Sequence, residues 1–230
     1  MKRWLKAIAV LGVGLAATSA GADDADDVTP FLGVDYYHAY MKGRNSWNSI
    51  FPNSYPGGTF YVGTKFHQYF GLELGYDWSL KQKKEWALPA GSNFFGTVQQ
   101  SISGTTKVQR SGGHLDVVGY LPVAESVELI GSLGFGWIQT KIQTTFDVVP
   151  GATVEGSSLA SVSGKGRGVF RVGVGANYML TDIVGMRAKV GWESTSTLRI
   201  EGNQTFTAAQ YDTKAFKGTT ALAVGLFVKF

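Results

Sequence analysis

The sequence predicts an all-β fold: an eight-stranded antiparallel transmembrane up-and-down β-barrel with short periplasmic turns and long extracellular loops. Three observations predict it. The closing stretch alternates, with Leu222, Val224, Leu226, Val228 and Phe230 on one face and Ala221, Ala223, Gly225, Phe227 and Lys229 on the other. Side chains on a strand point to opposite faces in turn, so this is a strand with one greasy and one compact face. The same alternation recurs in seven earlier segments, and the connections between them run long, short, long, short, long, short, long. That combination belongs to outer-membrane barrels, with their even strand number and unequal loops. Composition agrees: 31 glycines, only 6 prolines and 13% aromatic residues suit strands with small residues at crowded interior positions and rings at interfaces.

The elements follow in order. Lys2, Arg3 and Lys6 precede an apolar run, Ala7 to Ala17, and Ala20-Gly21-Ala22 makes a small-residue cleavage site. Residues 1–22 are therefore expected to be a secretory signal peptide that exports the chain, and residues 23–29 a short acidic segment, with the barrel domain over 30–230. The leader carries three basic residues and none of the 17 acidic ones, so the mature chain is close to neutral. The high pI is mostly a property of the leader, and nucleic acid is not expected as a partner. There is no cysteine, which removes disulfides and thiol chemistry. No later apolar segment reaches transmembrane-helix length.

Strand one is Phe31 to Met41, with Leu32, Val34, Tyr36, His38 and Tyr40 on one face. Lys42 to Gly57 reads as loop from its Asn and Pro content. Strand two runs Gly58 to Phe66. Strand three is the cleanest, with Phe70, Leu72, Leu74, Tyr76, Trp78 and Leu80 opposite Gly71, Glu73, Gly75 and Asp77. Lys81 to about Lys107 reads as a long polar loop. Strand four sets Leu115, Val117 and Leu121 against His114, Asp116, Val118 and Tyr120. Strand five sets Leu129, Leu133, Phe135 and Trp137 against Glu128, Ile130, Ser132 and Gly134. Lys141 to Gly166 reads as loop. Strand six carries Phe170, Val172, Val174, Ala176 and Tyr178 outward, strand seven Val184, Met186, Ala188, Val190 and Trp192. Ser194 to Thr213 reads as the last loop before the closing strand. A β-sandwich also alternates, but it buries its apolar faces and has no reason to segregate loop lengths.

The greasy faces are expected to end in an aromatic belt of Tyr36, Tyr40, Trp78, Trp137, Tyr178, Trp192 and Phe230, since such rings sit well at headgroup level. The opposite faces hold acids and bases that nearly cancel. Counted along the strands at about 3.3 Å per residue, Asp35, Glu73, Asp116, Arg187 and Lys189 fall at similar heights. They are expected to form one mid-barrel charge network, because an unpaired buried charge costs several kcal/mol.

The runs YVGTKFHQYFGLELGYDW (61–78), GHLDVVGYLPVAESVELIGSLGFGW (113–137) and GVFRVGVGANYMLTDIVGMRAKVGWE (168–193) resemble the transmembrane domain of the OmpA-like small outer-membrane barrels. The likeness covers strands and short turns and is lost in the long loops. It implies a charge cluster in the barrel that includes Glu73 on strand three and Arg187 on strand seven. The family's basic residue on strand four falls near Val118, and its acidic residue on strand six is replaced by Asn177, so the ion gate of that family lacks two members here. Larger members carry a peptidoglycan-binding domain after the barrel; none is expected in this chain.

Function is less legible. The family's fold accommodates a structural role, adhesion through extracellular loops, or a narrow low-conductance pore. An eight-stranded interior is just wide enough for side chains, which favours the first two. A lipid A-modifying enzyme, which would need a His with a Ser or Asp, is the least favoured alternative, and no enzyme, cofactor or metal is expected: His38 lies on the lipid face, His67 in a turn, and His114 shares its inward face with Asp116 but no lipase-like motif. Bases crowd the outer ends, and Lys81, Lys83 and Lys84 are expected to meet lipopolysaccharide phosphate. Arg110 reads as another of these outer bases. Trp86, Phe94 and Phe95 in the second loop read as the surface for a host or other ligand. The closing strand, Leu222 to Phe230, is expected to address the barrel-assembly machinery, and the barrel to be a monomer in outer-membrane lipid.

Overall fold

The computed structural model describes residues 28–43, 47–90, 101–147, 161–194, 198–200, 211–213 and 216–230. The leader 1–22, and Phe94 and Phe95, lie outside them. In chain order the elements are β1 (Thr29–Gly43), α1 (Trp47–Ile50), β2 (Ser54–His67), β3 (Phe70–Ser79), β4 (Gln82–Leu88), β5 (Ile102–Ala124), β6 (Val127–Asp147), β7 (Ser161–Met179), β8 (Val184–Glu193), β9 (Leu198–Ile200), β10 (Tyr211–Thr213) and β11 (Phe216–Lys229). Eight of them close a ring in the order β1, β2, β3, β5, β6, β7, β8, β11 and back to β1, every pair antiparallel. Closure leaves no strand edge to satisfy in hydrocarbon, where an unpaired backbone group costs several kcal/mol.

The period-two pattern decides which side each residue takes. On β3, Phe70, Leu72, Tyr76 and Trp78 are exposed outward, while Gly71, Glu73, Gly75 and Asp77 are buried in the ring. The same inside-out arrangement holds on β1, β5, β6, β8 and β11. The exposed face is apolar and the buried face carries the charges, the reverse of a soluble sheet. Turns at the periplasmic end are short: Tyr120 donates to the Tyr69 carbonyl at 2.8 Å, and Met179 to that of Ser126 at 2.8 Å. The seam is held at the chain's end, where the Phe230 amide donates to the Pro30 carbonyl at 3.0 Å.

Four of the expected loops are corrected. The segment Lys42 to Gly57 contains α1, and β2 begins at Ser54. The segment Lys81 to Lys107 contains β4 and the first turns of β5, paired in register from Gln82↔Val108 to Leu88↔Ile102. Lys141 to Gly166 is strand to Asp147 and again from Ser161, and Ser194 to Thr213 includes the small β9–β10 hairpin. The reason is physical. Above the lipid the outward face of a strand meets polar surroundings, so residues such as Thr105, Lys107, Gln109 and Lys141 stand where apolar side chains stood below, and the hydrogen-bonded ladder continues without the alternation that announces a lipid-facing strand.

Candidate functional site

The interior is built from single inward residues on separate strands. Arg187 on β8 reaches Asp35 on β1, with Nη2 at 2.5 Å and Nε at 3.2 Å from Oδ2, and also binds Glu73 on β3. Its guanidinium lies over the Tyr61 ring, 3.6 Å from the centroid. Lys189 Nζ stands 3.4 Å from Asp116 Oδ2. Arg171 on β7 donates to Asp77 at 2.6 Å, and Arg110 on β5 to Glu193 at 2.8 Å. His114 lies among three carboxylates: Asp77 at 3.3 Å, Glu73 at 3.8 Å and Asp116 at 3.9 Å. Nearer the periplasm, Lys65 pairs with Glu128 at 2.5 Å.

The structure thus brings Asp35, Glu73 and Arg187 into one contact group, with Lys189 and Asp116 beside it, linked through His114. Sequence reasoning missed how far the cluster climbs. Arg110 is no loop base. It is buried inside the ring, where its guanidinium also donates to the Tyr37 hydroxyl at 3.3 Å. The signal was there: Arg110, Gly112, His114 and Asp116 share one parity.

Both ends of this charged layer are packed. Toward the cell exterior, Tyr37, Ala39, Met41, Phe51, Tyr55, Val108 and Ile142 form a buried apolar cluster. Phe51 comes from the segment after α1 and is tucked into the barrel mouth, 2% exposed. Toward the periplasm, Phe31, Tyr61 and Phe227 pack together, next to Val118, Tyr120 and Ile130. A cavity of about 20 Å³ lies between Lys65, Glu128, Tyr61 and Arg187, room for about one water.

Glu73, His114 and Asp116 each offer a ligand atom within 4.8 Å of the others, as a metal would need. Glu73 already takes Arg187 and Asp116 takes Lys189, so a cation here has to displace two others. Among the described residues His114 touches carboxylates and no hydroxyl nucleophile. A hydrogen-bonded Ser–His pair lies on the outer wall, where His38 Nε2 and Ser54 Oγ are 2.7 Å apart. His38 Nδ1 is 3.2 Å from the Tyr36 hydroxyl and its ring stacks on Tyr40 at 4.6 Å. With both ring nitrogens partnered and, among the described residues, no carboxylate beside it, this group reads as polar side chains satisfying one another at the wall.

The outward rings Tyr36, Tyr40, Trp78, Trp137, Tyr178, Trp192 and Phe230 are all exposed. Trp78 lies across Gly58, in line with Tyr36 on the next strand. On the closing strand, Leu222, Val224, Leu226 and Phe230 are exposed outward and Val228 is half-buried.

Outside the wall, Trp86 is corrected from exposed anchor to buried core. It packs with Ile50 and Leu88, and its indole N–H donates to Thr106 Oγ1 at 2.9 Å. Lys81 and Lys83 stay at the surface, but Lys84 turns onto α1 and donates to the carbonyls of Asn48 at 2.8 Å and Phe51 at 3.1 Å. Partial burial draws its ammonium below the usual lysine range. The hydrogen bond from Lys83 holds the Glu85 carboxyl below its usual range. Lys84 therefore clamps one carbonyl of α1 and one just past its end, where a helix leaves carbonyls without an intrahelical partner. Lys84→Met is expected to speed proteolytic cutting of the α1 segment several-fold while leaving the unfolding midpoint of the barrel in place; an unchanged cutting rate would show the clamp to be idle.

The family model described as "Outer membrane protein beta-barrel domain" matches residues 7–230. No curated protein matches the chain in sequence. Among solved structures, the outer membrane protein OprG from Pseudomonas aeruginosa is similar at 10% identity, with 90% of this chain and 98% of that one covered and a TM-score of 0.52. The attachment invasion locus protein Ail of Yersinia pestis, solved with the heparin analogue sucrose octasulfate, is similar at 13% identity, covering 88% and 99%, with a TM-score of 0.45. The outer membrane protease OmpT from Escherichia coli is similar at 9% identity, covering 92% and 100%, with a TM-score of 0.45. OprG supports the fold alone; the other two carry nothing about the role of this chain.

Proposed function

We propose, from the premise that this chain belongs to the outer membrane protein beta-barrel domain family, that it serves the outer membrane as a closed barrel with a structural or surface-interaction role: envelope integrity, or adhesion through its extracellular loops. Residues 1–22 are its export signal, and the closing strand with Phe230 is what the barrel-assembly machinery handles. The folded barrel acts as a monomer. One observation supports this above the others: the charged interior is packed with side chains at both ends, while β4, β5 and β6 rise well past the outward tryptophans. A barrel filled within and built up without spends its sequence on stability and on its outer surface.

A narrow pore is the alternative, and planar-bilayer recording separates the two. The refolded protein is expected to insert without conductance steps; reproducible unitary steps would replace the structural reading with the pore. Adhesion has its own test. Removing residues 83–104 from a variant that still folds is expected to abolish binding to host cells or matrix, and undiminished binding would end the loop reading.

A further inference from the structure

Above the outward tryptophans, β4, β5 and β6 continue as a sheet with two different faces. The inward face is closed: Thr106, Val108, Arg110, Thr140 and Ile142 are buried. The outward face, continuous with the lipid-facing wall below, carries Lys81, Lys83, Lys107 and Lys141, all exposed. We propose that this face is a binding site for the headgroup phosphates of outer-leaflet lipid. The proposal rests on the reading that the chain spans the outer membrane.

Height comes first. Ser111 on β5 pairs with Trp78, and Gly113 with Trp137. Lys107 lies four residues beyond Ser111 and Lys141 four beyond Trp137, about 13 Å along each strand. On strands tilted about 40° that is roughly 10 Å above the indoles. If the indoles mark the interface, these ammonium groups stand among headgroups and not among acyl chains.

Charge comes second. Lys83 and Lys107 are direct cross-strand partners, an arrangement that destabilises a sheet by itself. Lys107 is opposite Gln143 and Gln109 is opposite Lys141, which puts Lys107 and Lys141 on a diagonal. Lys81 reaches over β5 to Gln143 Oε1 at 3.1 Å. Glu85 is an acid on this face, and it is held by Lys83 at 2.6 Å. Among the described residues no carboxylate pairs with Lys81, Lys107 or Lys141. Lysines gathered on one face, two of them set directly opposite, are relieved by a bound anion, and phosphates on the adjacent lipid supply it without leaving the bilayer.

The test uses the full barrel refolded into phosphatidylcholine vesicles that contain a small fraction of dansyl-labelled, bis-phosphorylated lipid A. Transfer from tryptophan to dansyl reports local enrichment, and heat-modifiable gel mobility with protease protection reports insertion in the same vesicles. Parent protein is expected to enrich the phosphorylated lipid about tenfold over its dephosphorylated form, with the excess fading as salt rises. The variant K81Q/K83Q/K107Q/K141Q is expected to lose that excess, whereas K42Q/K217Q, on the other side of the ring, keeps it. Equal enrichment by the quadruple variant would overturn the proposal. So would tighter binding of soluble polyphosphate than of lipid A, which would make the patch a receptor for a soluble polyanion. Failure to insert would instead overturn the membrane reading beneath it.

Discussion

Replacing Arg187 by alanine is expected to destabilise the barrel by about 3–5 kcal/mol, the cost typical of breaking a buried ion pair from one side. Arg187 is nine-tenths buried and serves two carboxylates at once, Asp35 and Glu73, while its flat guanidinium rests on Tyr61. Alanine removes the charge, the forked donors and the ring contact, and leaves two acids facing each other in a closed space. Urea unfolding of the micelle-bound barrel, followed by tryptophan fluorescence, reads the loss. A midpoint like the parent's would mean that the carboxylates find other partners and that the cluster is not structural. A second variant separates charge from volume. Arg187→Met with Asp35→Asn and Glu73→Gln removes the charges together, and it is expected to recover much of the loss, because neutral groups of similar shape are cheap where stranded ions are not.

How much of this was legible in the sequence depends on contrast between the two faces of each strand. Across the lipid that contrast is large, so Leu222, Val224 and Leu226 declare their side, and Glu73, Asp116 and Arg187 declare the other. The eight strands, their order and the parity of the interior charges all follow from it. Beyond the tryptophans the contrast falls away. Lys107 and Val108 differ in burial, yet Thr105, Thr106 and Ser103 do not differ in chemistry, so β4 and the outer parts of β5, β6 and β7 read as loop although the ladder continues. Arg110 was misplaced for the same reason: it sits where the apolar alternation fades, and only its parity with His114 and Asp116 shows that it points inward. Lys84 depends on something no local pattern contains, the carbonyls of a helix some thirty residues earlier in the chain.

Valine at Gly225 is expected to prevent the ring from closing, whereas valine at Gly131 is expected to be tolerated. Both glycines lie within strands, so loss of glycine's backbone freedom is common to the two and cannot distinguish them. Their surroundings do. Gly225 faces inward on β11, paired with Asp35 on β1 and with Arg187 on β8. A Cβ there would lie 2.0 Å from the Val34 carbonyl oxygen and 2.3 Å from Asp35 Oδ1. The first of these is backbone of the neighbouring strand and cannot rotate away. Gly131 faces outward with nothing within 4 Å of its Cβ position. Overpacking alone costs about 1–3 kcal/mol, and pushing Asp35 off Arg187 adds part of the ion-pair loss. The damage also falls on the seam between the first and last strands, where closure is decided. Folding yield by heat-modifiable gel mobility is the measurement. Gly225→Val should stay mostly in the unfolded band while Gly131→Val runs with the parent. Equal yields would mean that the closing strand is not held against β1 in this register, and the interior contacts that hang on that register would fall with it.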